Sequence, residues 1–520
     1  MTDIVLATLN ARWSHASLGL RYLYANLGEL QSRARIEEFT IATPLDQVVE
    51  RLLEGAPGII GLGVYIWNVE RTTELIARLR KAAPAIRIVI GGPEVSHEVH
   101  GQPIVQMADH VITGPADLSF AVLARQLLDG PRPLMKVIAG VQPELDALVL
   151  PYAHYTDTDI AHRNLYVEAS RGCPYKCEFC LSALDKTAWP FELDRILEQL
   201  AHLHRRGARR FRFVDRTFNL KAQTGRAILD FFLQRIEEAP DDPVFAHFEL
   251  VPDHLPEALR EAIVRFPAGA LQFEIGIQTW NPDVQARISR RQDNARAENH
   301  LRWLREQSQA HLHVDLIAGL PGEDLASFGA GFDRLVALRP HEIQVGILKR
   351  LRGAPIARHT EAFGLHFSPT PPYQVTETDA ISATDLARIE RFARYWDLYG
   401  NSGRFVGTLP RLLGEAPFAR FMAFSDWLHE HAQATHQLSL EARAEALLAW
   451  LTEVDDGDAE TVTRLIAADY ARSGAQGRPS FMARGLGLTD RDAGAVPERQ
   501  ARHLAVSEAA FFPPALPSVP

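Results

Sequence analysis

The sequence is poor in cysteine. Three occur in 520 residues, an odd number and far too few for a disulfide framework. Lysine is scarce as well. Six Lys stand among the 55 Lys and Arg, a bias better read as genomic base composition than as function. Positive charge is not in excess either. The formal net charge is −10, with a pI near 6.1, which argues against a general nucleic-acid binder and gives no specific nucleic-acid signal. No run approaches the roughly 18 apolar residues of a membrane span, so no membrane partner is expected. The start, MTDIVLATLNARWSH, has no basic region followed by a long apolar stretch, so no signal peptide is read. The P-loop, G-x-S-x-G and H-E-x-x-H patterns are absent, and with them the chemistries they serve. A cytoplasmic protein with reduced thiols is the expectation.

What is present is an ordinary globular composition, 46% hydrophobic and 23% charged, long enough for several domains. Residues 1–130 alternate short apolar strands (4–10, 35–41, 58–66, 86–92, 110–114) with helical periodicity. That alternation predicts a Rossmann-like parallel sheet covered on both faces. Ligands of such sheets sit at the carboxyl ends of the strands. Those ends carry Asn10, then Tyr65, Trp67 and Asn68, then Gly91, Gly92 and Pro93, then Gly114. A Pro-rich stretch over 131–160 reads as a linker. Over 161–365 the alternation resumes, with strands expected at 164–170, 209–215, 243–250, 271–277, 312–319 and 342–348. Six βα units are too few for the eight of a closed barrel and fit a partial (β/α)6 TIM-like barrel open on one side. Residues 366–490 read as a mostly α-helical domain, and 491–520, rich in Pro and Ala, as a flexible tail.

All three cysteines fall within eight residues, Cys173, Cys177 and Cys180. The spacing is C-x3-C-x2-C, directly after a predicted strand. Three thiolates on one loop can hold three irons of a cubane [4Fe–4S] cluster, which normally takes four Cys. No fourth Cys exists in the chain, so the fourth iron would stay open. Gly172 and Pro174 let the loop turn tightly, and Phe179 would shield the cluster. A zinc knuckle and inert buried thiols are the alternatives; the upstream His154 and His162 are poorly spaced for zinc.

This motif at the head of a six-unit partial barrel resembles the radical S-adenosylmethionine superfamily. The resemblance implies that the open iron binds S-adenosylmethionine and that reductive cleavage yields a 5′-deoxyadenosyl radical. It places S-adenosylmethionine contacts at Phe179 between the last two cysteines, at Asp215 after the second strand, at Glu274 and Gln278 on the fourth, at Arg290 beyond it, and at Asp315 and Gly319 on the fifth. The family's common Gly-Gly-Glu is replaced here by Val214-Asp215-Arg216-Thr217, leaving Asp215 as the polar partner. Singly, Asp215 could be a strand-end cap, Gln278 a helix cap, Arg290 surface charge and Gly319 a turn glycine; their order behind the cluster motif carries the functional reading.

An α/β domain ahead of such a barrel resembles the cobalamin-binding subgroup of that superfamily. The strings LNARWSHASLGLRYL and PPYQVTETDAISATDLARIERFARYWDLYGNSGRF resemble a branch with its own C-terminal helical domain. The resemblance implies cobalamin at Asn10, Tyr65, Trp67, Asn68, Gly91, Gly92, Pro93 and Gly114. The Asp-x-His-x-x-Gly signature for a lower cobalt ligand is absent. His15, the nearest candidate, is wrongly spaced and reads as a helix-start residue. The implied activity is a cobalamin-dependent radical methylation of an unactivated carbon on a small-molecule or peptide substrate, with flavodoxin or ferredoxin as electron donor. The alternatives are a radical oxidoreductase or cyclase in which cobalamin is redox-active or absent, and a non-catalytic Fe–S module. His311 and His313 read as a polar strand edge rather than a metal pair. Trp396, Tyr399 and Arg404 read equally as a substrate-side wall or as helix packing.

Overall fold

A computed structural model of the chain describes residues 2–185, 187–432, 438–455, 457–473, 479–481 and 497–504. It has two compact units. The first comprises Met1–Arg216, Lys349–Arg358 and Phe367–Gln374, the second Thr217–Leu348, His359–His366 and Val375–Pro520.

The first unit opens with strands β1 (Ile4–Asn10), β2 (Ala34–Thr40), β3 (Ile59–Gly63), β4 (Arg87–Gly91), β5 (His110–Thr113) and β6 (Val137–Ala139). They form a parallel sheet in the order β2-β1-β3-β4-β5-β6. Helices α1 (Leu18–Ala25), α2 (Leu45–Leu53), α3 (Val69–Ala82) and α4 (Ser119–Asp129) connect them. Strand side chains alternate between two cores. Val5, Leu62 and Ile90 pack with Val48 of α2 and Ile76 of α3. Ile4, Leu6 and Val89 pack with Leu20 of α1 and Phe120 of α4. Burial on both faces is why β1 and β4 read as nearly continuous apolar runs. The strand order reverses between β1 and β3, which opens a crevice at their carboxyl ends.

The stretch expected as a linker is built into this unit. Val137–Ala139 extends the sheet beside β5, and Tyr152 and Tyr155 are each 1% exposed. A three-residue strand among prolines is too short to show an alternation, so the sequence reading missed it. Downstream, β7 (Leu165–Val167) pairs in parallel with β8 (Arg210–Phe213), with α5 (Leu193–Arg205) between them in the chain. The strand expected over 164–170 stops at Val167. Ser170 and Arg171 instead pair antiparallel with Pro190 and Trp189, so the cysteine segment lies inside the loop of a short hairpin.

In the second unit β9 (Phe245–Leu250), β10 (Leu271–Gln278), β11 (His311–Ala318) and β12 (Glu342–Ile347) pair in parallel in that order. Helices α6 (Ala222–Glu238), α7 (Asn294–Gln307) and α8 (Leu325–Leu338) accompany them. On β10 the odd positions Leu271, Phe273, Ile275 and Ile277 are buried. The even positions Gln272, Glu274, Gly276 and Gln278 share the other face, because side chains alternate along a strand. Beyond the sheet come α9 (Ala383–Tyr399), α10 (Pro417–Ala432), α11 (Leu440–Ala449) and α12 (Ala459–Arg472), the expected helical region. Trp396 and Tyr399 belong to its core: Trp396 meets Phe332 and Phe421 edge-on at 4.8 and 5.0 Å. The stretch expected as a tail contains a further helix, α13 (Glu498–Leu504), with Gln500 and His503 buried. Residues 491–496 and 505–520 of that stretch lie outside the described residues. Among the described residues no helix is long and apolar enough to cross a membrane.

Candidate cluster and cofactor site

The cysteine loop begins at Gly172, whose φ of 85° lies in the left-handed region. A Cβ there would stand 2.1 Å from the Thr187 carbonyl oxygen. Only glycine lets the two sides of the hairpin close at this point. Cys177 is buried, and Cys173 and Cys180 are half-buried. The Cys180 amide donates to the Cys177 carbonyl at 3.0 Å, a tight turn that sets the x2 spacing. Burial pushes the Cys173 thiol up, and the nearby Cys180 and Cys177 add to it, so an uncompensated thiolate is disfavoured there. Among the described residues no three His, Cys, Asp or Glu converge on a single metal ion. A cubane needs no such convergence, because each thiolate takes its own iron. Three thiols on one partly open loop suit that donor set.

The loop is held from three directions within its unit. Asp215, 3% exposed after β8, accepts the Ala169 amide at 2.9 Å and the Ser170 hydroxyl at 2.5 Å. Burial pushes the Asp215 carboxyl up to about 7, against the pull of those hydrogen bonds. The strand-end reading of Asp215 is therefore realised. On the second side, Arg171 pairs with Glu168 at 2.9 Å and Asp117 at 3.1 Å. Its guanidinium also lies 4.5 Å from the centre of the Tyr22 ring. On the third, the Glu178 carbonyl accepts the Ile356 amide at 2.9 Å, and the Glu178 carboxylate pairs with Arg358. Phe179 is half-buried beside it.

The residues expected to contact cobalamin do gather at the carboxyl edge of the β1–β6 sheet, but they divide into two kinds. Tyr65 and Trp67 stack at 4.4 Å with rings 7° apart, and Trp67 is 45% exposed. The Trp67 indole N–H donates to the Leu9 carbonyl at 3.2 Å, which fixes the ring at the β1/β3 crevice. Gly114, with φ of 70°, has open space where a Cβ would be. Pro93 begins a short helical turn after β4. Gly91 ends β4, and a Cβ there would meet the Ile112 carbonyl oxygen at 3.5 Å. Gly92 has φ of 115°, and a Cβ there would meet the Val64 carbonyl oxygen at 2.4 Å; it is glycine for the sake of the backbone. Asn68 corrects the sequence reading. It is fully buried; its amide nitrogen bonds Thr8, Leu9 and Gly63, and its oxygen accepts the Tyr65 amide. Asn10 is likewise turned inward, donating to Glu38 and to the His15 carbonyl. Both hold the loop rather than face a ligand. His15 lies 2.5 Å from the Tyr166 hydroxyl through Nδ1.

The remaining expected residues lie in the second unit. Gln278 sits at φ of 69°, where the β10/β11 register shifts. Its amide folds back over Gly276, and its Oε1 is buried without a hydrogen-bond partner. Arg290 donates to the Gly276 carbonyl and to Gln292. Gly319, with φ of 83°, lets Val375 approach to where a Cβ would stand 2.5 Å from its methyl. Glu274 and Asp315 share the polar face of the sheet.

That face holds a transverse row of charge that the sequence reading did not assemble. Glu274 on β10 is registered with His313 on β11, and His313 with Glu342 on β12. His247 Nε2 lies 3.3 Å from Glu274. His313 lies 3.4 Å from Asp315 and 3.7 Å from Glu342. His311 and Arg499 each reach Glu342 at 3.0 Å. Burial alone would lower the His313 pKa, but the Asp315, Glu342 and Glu274 carboxylates raise it to about 9. Burial opposes ionisation of Glu342, yet His311 and Arg499 bring it to about 2. The polar-edge reading of His311 and His313 is corrected: β11 is paired on both sides, and both residues lie among charges inside the sheet face. The signal was the period-two polar pattern His311, His313, Asp315.

Comparison with known proteins follows this layout. A model of the radical SAM superfamily matches residues 167–334. A B12 binding domain model matches residues 4–124, and a family described as a protein of unknown function (DUF4080) matches residues 361–493. The chain is 23% identical over 389 residues to the cobalamin-dependent radical SAM methyltransferase TokK of Streptomyces tokunonensis, covering 65% of this chain and 53% of that protein. It is 24% identical over 337 residues to a 2-(S-pantetheinyl)-carbapenam-3-carboxylate methyltransferase of Streptantibioticus cattleyicolor, covering 58% and 48%. The chain thus spans about half the length of these curated relatives. Among solved structures, OxsB with aqua-cobalamin and S-adenosylmethionine bound has a TM-score of 0.61 at 13% identity, over 90% of this chain and 78% of that one. TsrM from Kitasatospora setae with cobalamin and a [4Fe-4S] cluster has a TM-score of 0.56 at 16% identity, over 71% and 78%. At these identities the likeness is one of fold.

Proposed function

Because the chain belongs to the radical SAM superfamily and carries an N-terminal B12-binding domain, we propose that it is a cobalamin-dependent radical S-adenosylmethionine enzyme, a methyltransferase acting on an unactivated carbon. The observation that carries this reading is the Cys173–Cys177–Cys180 loop after β7 in a chain with no fourth cysteine. When bound, the cluster and cobalamin supply the electron that cleaves S-adenosylmethionine and the methyl group that is transferred.

The three cysteines take three irons and leave one for S-adenosylmethionine. Asp215 sets the start of their loop, and its Ser170 partner fixes where the loop departs. Phe179 shields the loop. In the second unit Glu274, Gln278, Arg290, Asp315 and Gly319 are the residues assigned to S-adenosylmethionine. The Gln278 Oε1 and the Asp315 Oδ1 are buried there without a hydrogen-bond partner. Tyr65, Trp67, Pro93 and Gly114 form the corrin platform, while Asn10, Asn68, Gly91 and Gly92 shape its floor. His15, engaged with Tyr166, supplies no lower ligand in this assignment. The enzyme is placed in the cytoplasm, with a flavodoxin or ferredoxin as electron donor.

The test is the reconstituted protein with hydroxocobalamin, S-adenosylmethionine and a reductant. The reading expects cluster absorbance, corrin bands and 5′-deoxyadenosine in one sample. Cleavage without corrin uptake would replace it with the oxidoreductase or cyclase reading.

A further inference from the structure

The stretch Lys349–Arg358 belongs to the first unit, apart from its sequence neighbours on both sides. Within that unit it meets two separate loops. One follows β4 and carries Gly92, Pro93, Glu94 and Glu98. The other carries the cysteines. At the first loop, Glu94 is 4% exposed. Its Oε1 accepts the Arg352 Nε–H at 2.8 Å and the Tyr373 hydroxyl at 2.7 Å. The Tyr373 oxygen accepts in turn from Arg352 Nη2 at 2.9 Å, which closes a ring of three hydrogen bonds. Burial and the Glu94 carboxylate push the Tyr373 hydroxyl up to about 12, so it keeps the proton it donates.

Glu98, on the same loop, accepts Arg350 at 3.0 Å and the Gly353 amide at 3.3 Å. Gly353 has φ of 83°, and a Cβ there would stand 2.3 Å from the His97 ring, so only glycine allows this approach. At the second loop, the buried Ile356 donates its amide to the Glu178 carbonyl at 2.9 Å. Arg358 pairs with the buried Glu178 carboxylate. Glu178 stands between Cys177 and Cys180. Only three residues separate Arg352 from Ile356. Pro355 fixes the backbone between them, and Ala354 is buried, so the two attachments are joined with little slack.

We propose that Lys349–Arg358 is a strap that holds the loop after β4 and the cysteine loop at one fixed separation, with Arg352 as its main positioning residue. Arg350, Arg352 and Arg358 each meet a glutamate on one of the two loops. A planar guanidinium fixes direction as well as distance, which packing alone does less well. Resting on the function proposed above, the strap sets the spacing between the proposed corrin platform and the cluster. Transfer between bound groups is steeply sensitive to their placement, and a displacement of about 1 Å can cost on the order of a hundredfold in rate.

The test has two arms, both on the full-length protein. The first is backbone hydrogen exchange without cofactors. The Val95 and Cys180 amides are both hydrogen-bonded, to the Gly92 and Cys177 carbonyls. In Arg352→Met both should exchange about tenfold faster or more, although Cys180 lies on the other loop. Arg352→Lys keeps the charge and loses the fork; it should recover part of the protection at both. If Arg352→Met does not fold, Arg352→Met with Glu94→Gln removes the pair without leaving a buried charge and should show the same paired loss. Faster exchange confined to Val95, or no change at either amide, would overturn the proposal. The second arm is the paramagnetic distance between the reduced cluster and cob(II)alamin in loaded protein, at matched iron and corrin content. Wild type should give one narrow distribution and Arg352→Met a broadened or shifted one; an unchanged distribution would overturn the proposal. Wild-type protein that takes up no corrin would contradict the proposed function, and the exchange arm would still decide the strap.

Discussion

Arg171 Nη1 lies 3.1 Å from Asp117 Oδ1. Asp117 follows the fifth strand of the N-terminal sheet, and Arg171 stands two residues before Cys173. The same guanidinium satisfies Glu168, which is 6% exposed. One cation thus ties the N-terminal sheet to the cysteine loop. Removing it leaves two carboxylates facing each other with little water.

Arg171→Met should therefore be among the most damaging single changes outside the cysteines. The expected loss is about 3–5 kcal/mol, the cost of breaking a buried pair from one side. Denaturant unfolding measures it, and iron content per chain after reconstitution should fall in parallel. Asp117→Asn keeps the Glu168 partner and should cost far less.

Gly92→Ala tests the floor of the proposed corrin platform. It places a methyl 2.4 Å from the Val64 carbonyl oxygen at a φ of 115°, so a destabilisation of about 1–3 kcal/mol or more is expected. Asn68→Ala strips four hydrogen bonds from a fully buried site and should cost about 2–4 kcal/mol. Both should weaken cobalamin uptake through the loop they distort. Trp67→Ala should weaken uptake with a smaller change in melting temperature than Asn68→Ala, because that ring is nearly half exposed whereas Asn68 is fully buried.

The charged row across β9–β12 predicts a pH dependence. His313 has a folded pKa of about 9, above its ordinary value of 6.5. The folded state therefore holds the proton more tightly. Its stabilising contribution is fully present below pH 6.5 and is lost as pH rises through 9. A shift of that size corresponds to at most about 3 kcal/mol. In His313→Gln the fall in stability between pH 6.5 and 9 should flatten. Glu342, lowered from 4.5 to about 2, has the opposite sign: its contribution is present above pH 4.5 and is lost as pH falls through 2.

These residues also show what the sequence made legible. The cysteine spacing and the strand–helix alternation depend on local period and composition, and each of the ten expected strands outside the 164–170 segment lies within about three residues of its place. Asn68 and Asn10 were misread because position at a strand end says nothing of where an amide points; Thr8, Glu38 and the Gly63 carbonyl, 5 to 60 residues away, decided that. Glu342, Arg499 and His247 were missed because their partners come from other strands and from a helix within the expected tail. Register and long-range pairing bring them together, and neither is visible in a single strand. The β6 strand and α13 were missed because short elements in Pro- and Ala-rich stretches carry no readable period.

The central claim is that three cysteines hold a cluster whose open iron takes S-adenosylmethionine. It is tested most directly by release of 5′-deoxyadenosine from reconstituted, reduced protein, with Cys177→Ala beside it. Wild-type protein should release it, and the folded variant should release none. Undiminished cleavage by Cys177→Ala, or no cleavage by fully iron-loaded wild type, would contradict the account.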